Sequence, residues 1–164
     1  MELYQTGIIG RMAEADDGRT MGAIARLAGT ARREFSSRIR DEAWAADLGM
    51  RAPAYGVLRI VRARGPVSQR AVSDRIGIDP GDIVAIIDTL EGAGLLRRAR
   101  DETDARRNNL SLTPEGVAVT QRLDALAQDV ADSVLGRLTR RERATLDRLL
   151  WKAAFGPWPD DPPV

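Results

Sequence analysis

The sequence predicts a mainly α-helical chain with one two-stranded β-hairpin, and three observations lead to this prediction. Apolar residues recur three and four positions apart through long stretches of the 164 residues, which is the spacing of one helix face. Between Leu95 and Thr113 the pattern changes to two short apolar-polar alternations around a charged, turn-prone tip, as in a hairpin. A helix with clear start signals lies just before it, at 80–92. Because a helix followed by a basic hairpin is the arrangement of a winged helix-turn-helix, we expect this fold class, with a two-stranded β-wing.

The N-terminal segment, 1–48, is expected to supply one long helix. Residues 1–18 contain few apolar positions and predict either a short extra helix or a loose arm. From 20 to 46 the apolar residues follow helical spacing, and 48–49 provides a stop. The positions on that apolar face are Ile24, Leu27, Ala28, Ala31, Phe35, Ile39 and Ala43.

The middle segment, 49–113, is expected to be the winged helix-turn-helix. A helix at 53–63 begins at a proline and ends at 65–66, and Ser68 is a plausible N-cap for a second helix at 69–76. A third helix, 80–92, begins with Asp79 as N-cap and Pro80 in its first position. Asp82, three residues after the cap, suggests a capping-box-like start.

The C-terminal segment, 114–156, is expected to contain two more helices, 114–136 after Thr113 and 139–155 after Thr139. The prolines of 157–164 then predict a non-helical tail. These two helices carry more apolar surface than a lone winged helix can bury. They are therefore expected to pack either against a second copy of the chain, as a homodimer, or back onto the same chain as an intramolecular bundle.

Charge is unevenly distributed although the net charge of the chain is only +1. Residues 51–113 hold eleven arginines against eight carboxylates, a net charge of +3, whereas 1–50 and 114–164 are each at −1. Five of the arginines lie within 97–107. Cationic side chains on a hairpin can lie along phosphates or enter a minor groove, so the segment predicts binding to double-stranded DNA.

The composition excludes several other classes of function. The chain contains no cysteine and no histidine, which removes disulfides, thiol redox sensing, serine–histidine chemistry and ordinary zinc sites. No glycine-rich phosphate loop stands out either. We therefore expect no enzyme, no cofactor and no metal site. No apolar run is long enough for a membrane span, and the N-terminus lacks a signal-peptide pattern, so a cytoplasmic protein is expected.

Four short motifs follow one another between about 52 and 116: Asp79-Pro80-x-Asp82-Ile83-Val84, Asp88-x-Leu90-Glu91-x-x-Gly94-Leu95, Asp104-x-Arg106, and Leu112-Thr113-Pro114-Glu115-Gly116. In their order and spacing they resemble the MarR family of bacterial transcriptional regulators. The resemblance implies a ligand-responsive, dimeric repressor that binds a pseudo-palindromic operator. A winged-helix module that binds proteins, without sequence-specific DNA binding, is the alternative, because the recognition helix carries no cation.

The resemblance also implies which residues meet DNA. Arg106 matches the wing arginine that enters the minor groove, and Asp104 matches its partner. Asp82 is either a base acceptor or only part of the helix start, and Gln69 and Arg70 are either phosphate contacts or plain surface. The full expected set is Gln69, Arg70, Pro80, Gly81, Asp82, Val84, Ala85, Asp88, Arg97, Arg98, Arg100, Asp104, Arg106 and Arg107.

A small effector is a further implication of the resemblance. Members of the family commonly hold an aromatic or phenolic anion between the dimerisation helices and the winged domain. Trp44, Tyr55 and Arg59 are the candidates in this chain, since two are aromatic and the third could meet an anion. The competing interpretation is that they belong to the ordinary core and surface.

Overall fold

The structure, a computed structural model, describes residues 18–100 and 108–156 and confirms the mainly α-helical winged helix-turn-helix. Seven helices and three short strands lie within these ranges. The helices are α1 (Arg19–Asp41), α2 (Ala43–Asp47), α3 (Ala52–Arg64), α4 (Gln69–Ile76), α5 (Pro80–Gly92), α6 (Pro114–Val134) and α7 (Arg140–Phe155). The strands are β1 (Val67–Ser68), β2 (Leu96–Arg100) and β3 (Asn108–Leu112). None of the helices in the described ranges is both long and apolar enough to cross a membrane.

Helix α3 lies at the centre of the fold, where it contacts α1, α4, α5, α6 and β3. Its apolar face is fully buried through Val57, Leu58 and Val61. Helix α5 buries Ile83, Ile87 and Leu90 against the same core, as its helical spacing predicts. This packing leaves the opposite side of α5 in solvent.

Side-chain caps begin four of the helices, and the sequence predicted each of them. Ser68 accepts a hydrogen bond from the N–H of Ala71 (3.2 Å), and Asp79 accepts one from the N–H of Gly81 (2.7 Å). Thr113 caps α6 and Thr139 caps α7 in the same way, and the N–H of Thr139 in turn donates to the carboxylate of Glu142. Each cap satisfies a backbone donor that has no partner within the helix.

Two details of the predicted architecture were wrong, and one strand was not predicted. The helix expected over 20–46 is interrupted, because Glu42 adopts an extended backbone (φ −92°, ψ 109°) between α1 and α2. Asp82 forms no capping box, since Asp79 alone provides the side-chain cap of α5. The two-stranded wing is present as predicted, since β2 and β3 pair antiparallel, but an additional strand that the sequence did not predict, β1, pairs with β3 and gives a sheet in the order β1-β3-β2. Strand β1 consists of two residues, one of which, Val67, pairs with Leu110, and it is too short to show an alternating pattern.

Helix α6 is joined closely to the start of β2. The N–H of Thr113 donates to the carbonyl of Leu95 (3.1 Å), and its hydroxyl donates to the carbonyl of Gly94 (2.6 Å). Gly116 lies directly against this strand: a Cβ atom at this position would be 2.0 Å from the carbonyl oxygen of Leu95. The glycine of the Thr-Pro-Glu-Gly sequence is therefore required by the contact between helix and strand.

Helix α7 is largely exposed, in contrast to α6. It buries none of its residues, although its apolar side chains include Leu149, Leu150, Trp151 and Phe155, which are 38–51% exposed. An intramolecular bundle in which α7 folds into the core is therefore not the arrangement of this chain. The first turns of α1 are similarly exposed at Met21, Ile24 and Leu27.

Candidate functional site

The outer face of α5 is exposed to solvent. It comprises the six residues that the sequence singled out on this helix, and all six are exposed: Pro80, Gly81, Asp82, Val84, Ala85 and Asp88. The face carries no positive charge, and Val84 is its largest apolar side chain, with 40% of it exposed. A helix with this exposure can enter the major groove of a duplex, which accommodates one α-helix.

Arg98 of β2 binds two carboxylates of α5 and so fixes the strand to the helix. Its guanidinium bonds Asp88 (2.5 Å) and Glu91, and its backbone N–H donates to Glu91 (3.0 Å). Burial lowers the pKa of Arg98, but the bonds to the two carboxylates outweigh this effect and hold its pKa above the ordinary value. We call Arg98, Asp88 and Glu91 the Arg98 cluster. Its single positive charge offsets part of the negative charge of the two acids in the second half of α5, and the cluster as a whole keeps a net charge of −1.

The other predicted DNA contacts are distributed over α4 and the wing. Arg70, at the start of α4, is 91% exposed and lies 3.7 Å from Asp74, while Gln69 is half-buried. Arg97 and Arg100 are exposed on β2. The expected wing-tip contacts Asp104, Arg106 and Arg107 lie outside the described residues.

A second ionic cluster joins α3 to α6. The hydroxyl of Tyr55 donates to Asp124 (2.8 Å), Arg62 bonds the other carboxylate oxygen (2.5 Å), and the Nε of Arg59 lies 3.8 Å away. Burial, together with the bond to the Asp124 carboxylate, raises the pKa of Tyr55 to about 12, although the positive charge of Arg59 acts in the opposite direction. We call these four residues the Asp124 cluster.

A cavity of about 320 Å³ opens between α3, α4 and the end of α7. Tyr55 and Arg59 line it on the α3 side, and Trp151 and Phe155 line it on the α7 side. The two aromatic rings of α7 are 4.7 Å apart. Arg75 of α4 also lines the cavity, lies over the ring of Phe155 (4.8 Å), and donates to its carbonyl oxygen (2.5 Å). The lining therefore combines aromatic surface with guanidinium groups, a combination that suits a small aromatic anion.

Trp44, the third ligand candidate, is not part of this cavity. Its indole N–H donates to Glu42 (2.6 Å), and the guanidinium of Arg122 from α6 lies over its ring at 3.9 Å. The structure therefore brings Tyr55 and Arg59 together and places Trp44 in a separate contact between α2 and α6.

The predicted site residues did not include six members of these sites, namely Arg62, Arg75, Glu91, Asp124, Trp151 and Phe155. Asp124 is a polar residue within the periodic pattern of α6, which describes only the apolar face. Trp151 did carry a signal, since a tryptophan close to a second aromatic residue in a solvent-exposed helix is uncommon. The contact of α7 with Arg75 of α4 could not have been inferred from spacing, because Arg75 and its hydrogen-bond partner Phe155 are 80 residues apart.

Comparison with known proteins identifies relatives of this chain. The model of the MarR family matches residues 48–107. A transcriptional regulatory protein for the hcr operon of Thauera aromatica is 32% identical over 102 residues, which are 62% of this chain and 61% of the relative. The chain thus spans about three fifths of the length of that curated relative.

Solved structures resemble the chain as well. The PcaV transcriptional regulator of Streptomyces coelicolor, crystallised with its natural ligand, is 34% identical with a TM-score of 0.55, over 63% of this chain and 73% of PcaV. A MarR-family regulator from Rhodococcus sp. RHA1 is 22% identical with a TM-score of 0.75, over 88% of this chain and 99% of the other. The second likeness concerns the fold alone.

Proposed function

Because the chain belongs to the MarR family, we propose that it is a dimeric DNA-binding transcriptional regulator, a repressor that a small aromatic anion controls. The observation that carries this proposal is the outer face of α5, which projects from the core beside an arginine-bearing strand. Residues 49–113 would bind the operator, and the segments 1–48 and 114–156 would hold two chains together. Two copies of α5 would then contact half-sites about one helical turn apart, as in other helix-turn-helix dimers.

Binding to DNA would draw its affinity from the arginines around α5 rather than from α5 itself. Arg97 and Arg100 of β2 and Arg70 of α4 are exposed to solvent, and Arg106 is expected at the wing tip. Phosphate contacts supply sequence-independent affinity that falls with salt. The acidic residues of α5 favour the alternative of a protein-binding module, but Arg98 binds two of these carboxylates and offsets one of their two negative charges.

The test is fluorescence anisotropy with a duplex selected from a random library. Arg106→Ala should weaken binding by about 1–3 kcal/mol, the range of a good groove contact. Arg137→Ala, which removes the same charge from the exposed turn before α7, is the matched control and should leave affinity unchanged. A chain that binds no duplex at roughly 50–100 mM salt would refute the DNA-binding proposal. Equal affinities for the Arg106 variant and the wild type would refute the assignment of Arg106 to a groove contact.

We expect α7 to pack against a second copy of the chain. Leu149, Leu150 and Trp151 on this helix, with Met21 on α1, are exposed hydrophobic residues in the single chain. Covering them with the same surfaces of a partner would remove this apolar area from water at roughly 25 cal/mol per Å². Light scattering should give about 36 kDa, twice the 17.9 kDa of one chain, and Leu150→Glu should reduce that mass. A folded wild-type monomer at micromolar concentration would contradict the dimer.

The effector would occupy the cavity between α3, α4 and α7. An aromatic carboxylate could place its ring beside Trp151 and Phe155 and its charge beside Arg59. Benzoate and 4-hydroxybenzoate are suitable probes, with toluene as a neutral control. We expect the anions to raise the melting temperature of the wild type but not that of Arg59→Ala, and to release DNA. Arg122→Ala, near Trp44 instead, should keep the response.

A further inference from the structure

The outer face of α5 has few groups that can hydrogen-bond to DNA, and the structure shows which of them are already engaged. Its side chains offer no free donor, a statement that covers the whole of α5, which the structure describes. The hydroxyl of Thr89, the next exposed polar group along the helix, donates to the carbonyl of Ala85 at 2.8 Å. Pro80 has no N–H, and the N–H of Gly81 is bonded to Asp79.

Only one polar side chain on this face is unengaged, and it can only accept. Asp88 already accepts from Arg98, whereas the exposed carboxylate of Asp82 takes no part in capping the helix. An ionised carboxylate has acceptor atoms and no donor. The rest of the face, Val84 and Ala85, is apolar.

These properties limit which base edges the face can recognise. Guanine presents two acceptors in the major groove, N7 and O6, and therefore needs a side-chain donor. Thymine presents a 5-methyl group, which an apolar side chain can contact, and the amino groups of cytosine and adenine can donate to a carboxylate. A donor-free face is thus matched to thymine methyl groups and amino groups, and it is mismatched to guanine.

We infer that α5 recognises its half-site by contact of Val84 with the 5-methyl group of a thymine, and that its side chains make no hydrogen bond to guanine. This inference rests on the proposed DNA-binding function. Val84 is the residue to expect, because it is the largest apolar group of the face and 40% of it is exposed. Burying one methyl group contributes about 0.8 kcal/mol, which corresponds to a change of about fourfold in affinity.

The experiment replaces thymine with deoxyuridine, which pairs identically and lacks only the methyl group. A high-affinity duplex is first selected from a random library with the full chain, and each thymine is then replaced in turn. We expect one thymine in each half-site to lose about fourfold in affinity on replacement, measured by anisotropy at fixed salt. The Val84→Ala variant should bind the thymine and uracil duplexes equally.

Two controls separate this inference from the proposed function. Arg97→Ala should weaken binding to both duplexes by the same factor, because a phosphate contact does not sense the methyl group. Melting temperatures show whether Val84→Ala remains folded, and Val84→Thr, which keeps the shape but adds a hydroxyl, provides a second variant. Sequence-selective binding with no sensitivity to uracil at any position overturns the inference while the proposed function stands. A wild-type chain with no affinity for any duplex overturns both.

Discussion

Replacing Asp124 with alanine should destabilise the chain by about 2 kcal/mol, because this one carboxylate holds α3 against α6. The change removes the acceptor of Tyr55 at 2.8 Å and the partners of Arg62 at 2.5 Å and Arg59 at 3.8 Å. It leaves a half-buried phenol hydroxyl without its bond, and such a loss is costlier than the loss of a solvated ion pair.

The magnitude follows from the exposure of each contact. A hydrogen bond to a charged group contributes about 1.5–3 kcal/mol, and the 35% exposure of Asp124 places this one near the lower figure. The Arg62 pair, with both side chains more than a third exposed, adds about 0.5 kcal/mol. Arg59, at 55% exposure, adds almost nothing. For a chain of this length, about 2 kcal/mol corresponds to roughly 4–8 °C in melting temperature.

Asp132→Ala is the matched control. Asp132 lies on the same helix and has an ion pair of the same length, 2.5 Å, with Arg143, but it has no phenol partner. Both substitutions gain the same helix propensity. The expected loss of stability on Asp132→Ala is about 0.5 kcal/mol. Thermal unfolding followed by circular dichroism, at one protein concentration, provides the comparison. Equal shifts in melting temperature for the two variants would refute the argument that the Asp124 cluster joins the two helices.

Three further predictions concern titration, salt dependence and packing. In a Tyr4→Phe chain, absorbance at 295 nm should show Tyr55 ionising near pH 12. The stability that the Tyr55–Asp124 bond contributes should therefore be complete below about pH 10 and be lost as the pH rises through about 12. Ionisation of Tyr55 near pH 10 would contradict the bond to the carboxylate. Arg97→Ala should reduce the slope of log K against log salt by about 0.9 per phosphate contact, whereas Arg98→Ala should change it less, since that guanidinium is already bonded to carboxylates. Gly116→Ala should lower the free energy of unfolding by more than about 3 kcal/mol, measured by urea denaturation, because the new methyl group would meet backbone atoms at 2.0 Å.

The sequence was sufficient for those parts of the fold that depend on local chemistry. Ser68, Asp79, Thr113 and Thr139 are all N-caps in the structure, because a short polar side chain before a helical pattern satisfies a backbone donor wherever it occurs. The buried faces of α3 and α5 follow from helical spacing in the same way. The exposed face of α5 follows from the same periodicity, since it is the remainder of the helix.

The long-range polar contacts could not be predicted. Tyr55 and Asp124 are 69 residues apart, and neither belongs to a motif that indicates the other. The Arg98 cluster is a second contact of this kind. From the sequence alone, Asp88 is expected to be a free negative charge near phosphate and Arg98 a free positive one. Their pairing depends on the register in which β2 lies beside α5, which is a property of the packed structure.

The Arg98 cluster has a consequence for the architecture of the binding site on DNA. Three bonds tie β2 to α5, so the strand that leads to the wing and the helix on the other side of the half-site form one rigid body. If the chain binds DNA as proposed, the distance between the groove that α5 enters and the groove that the wing meets is fixed within each protomer. An inserted base pair inside a half-site should therefore abolish binding, whereas one between the half-sites would have to be absorbed at the dimer interface, the part of the assembly that an effector can adjust.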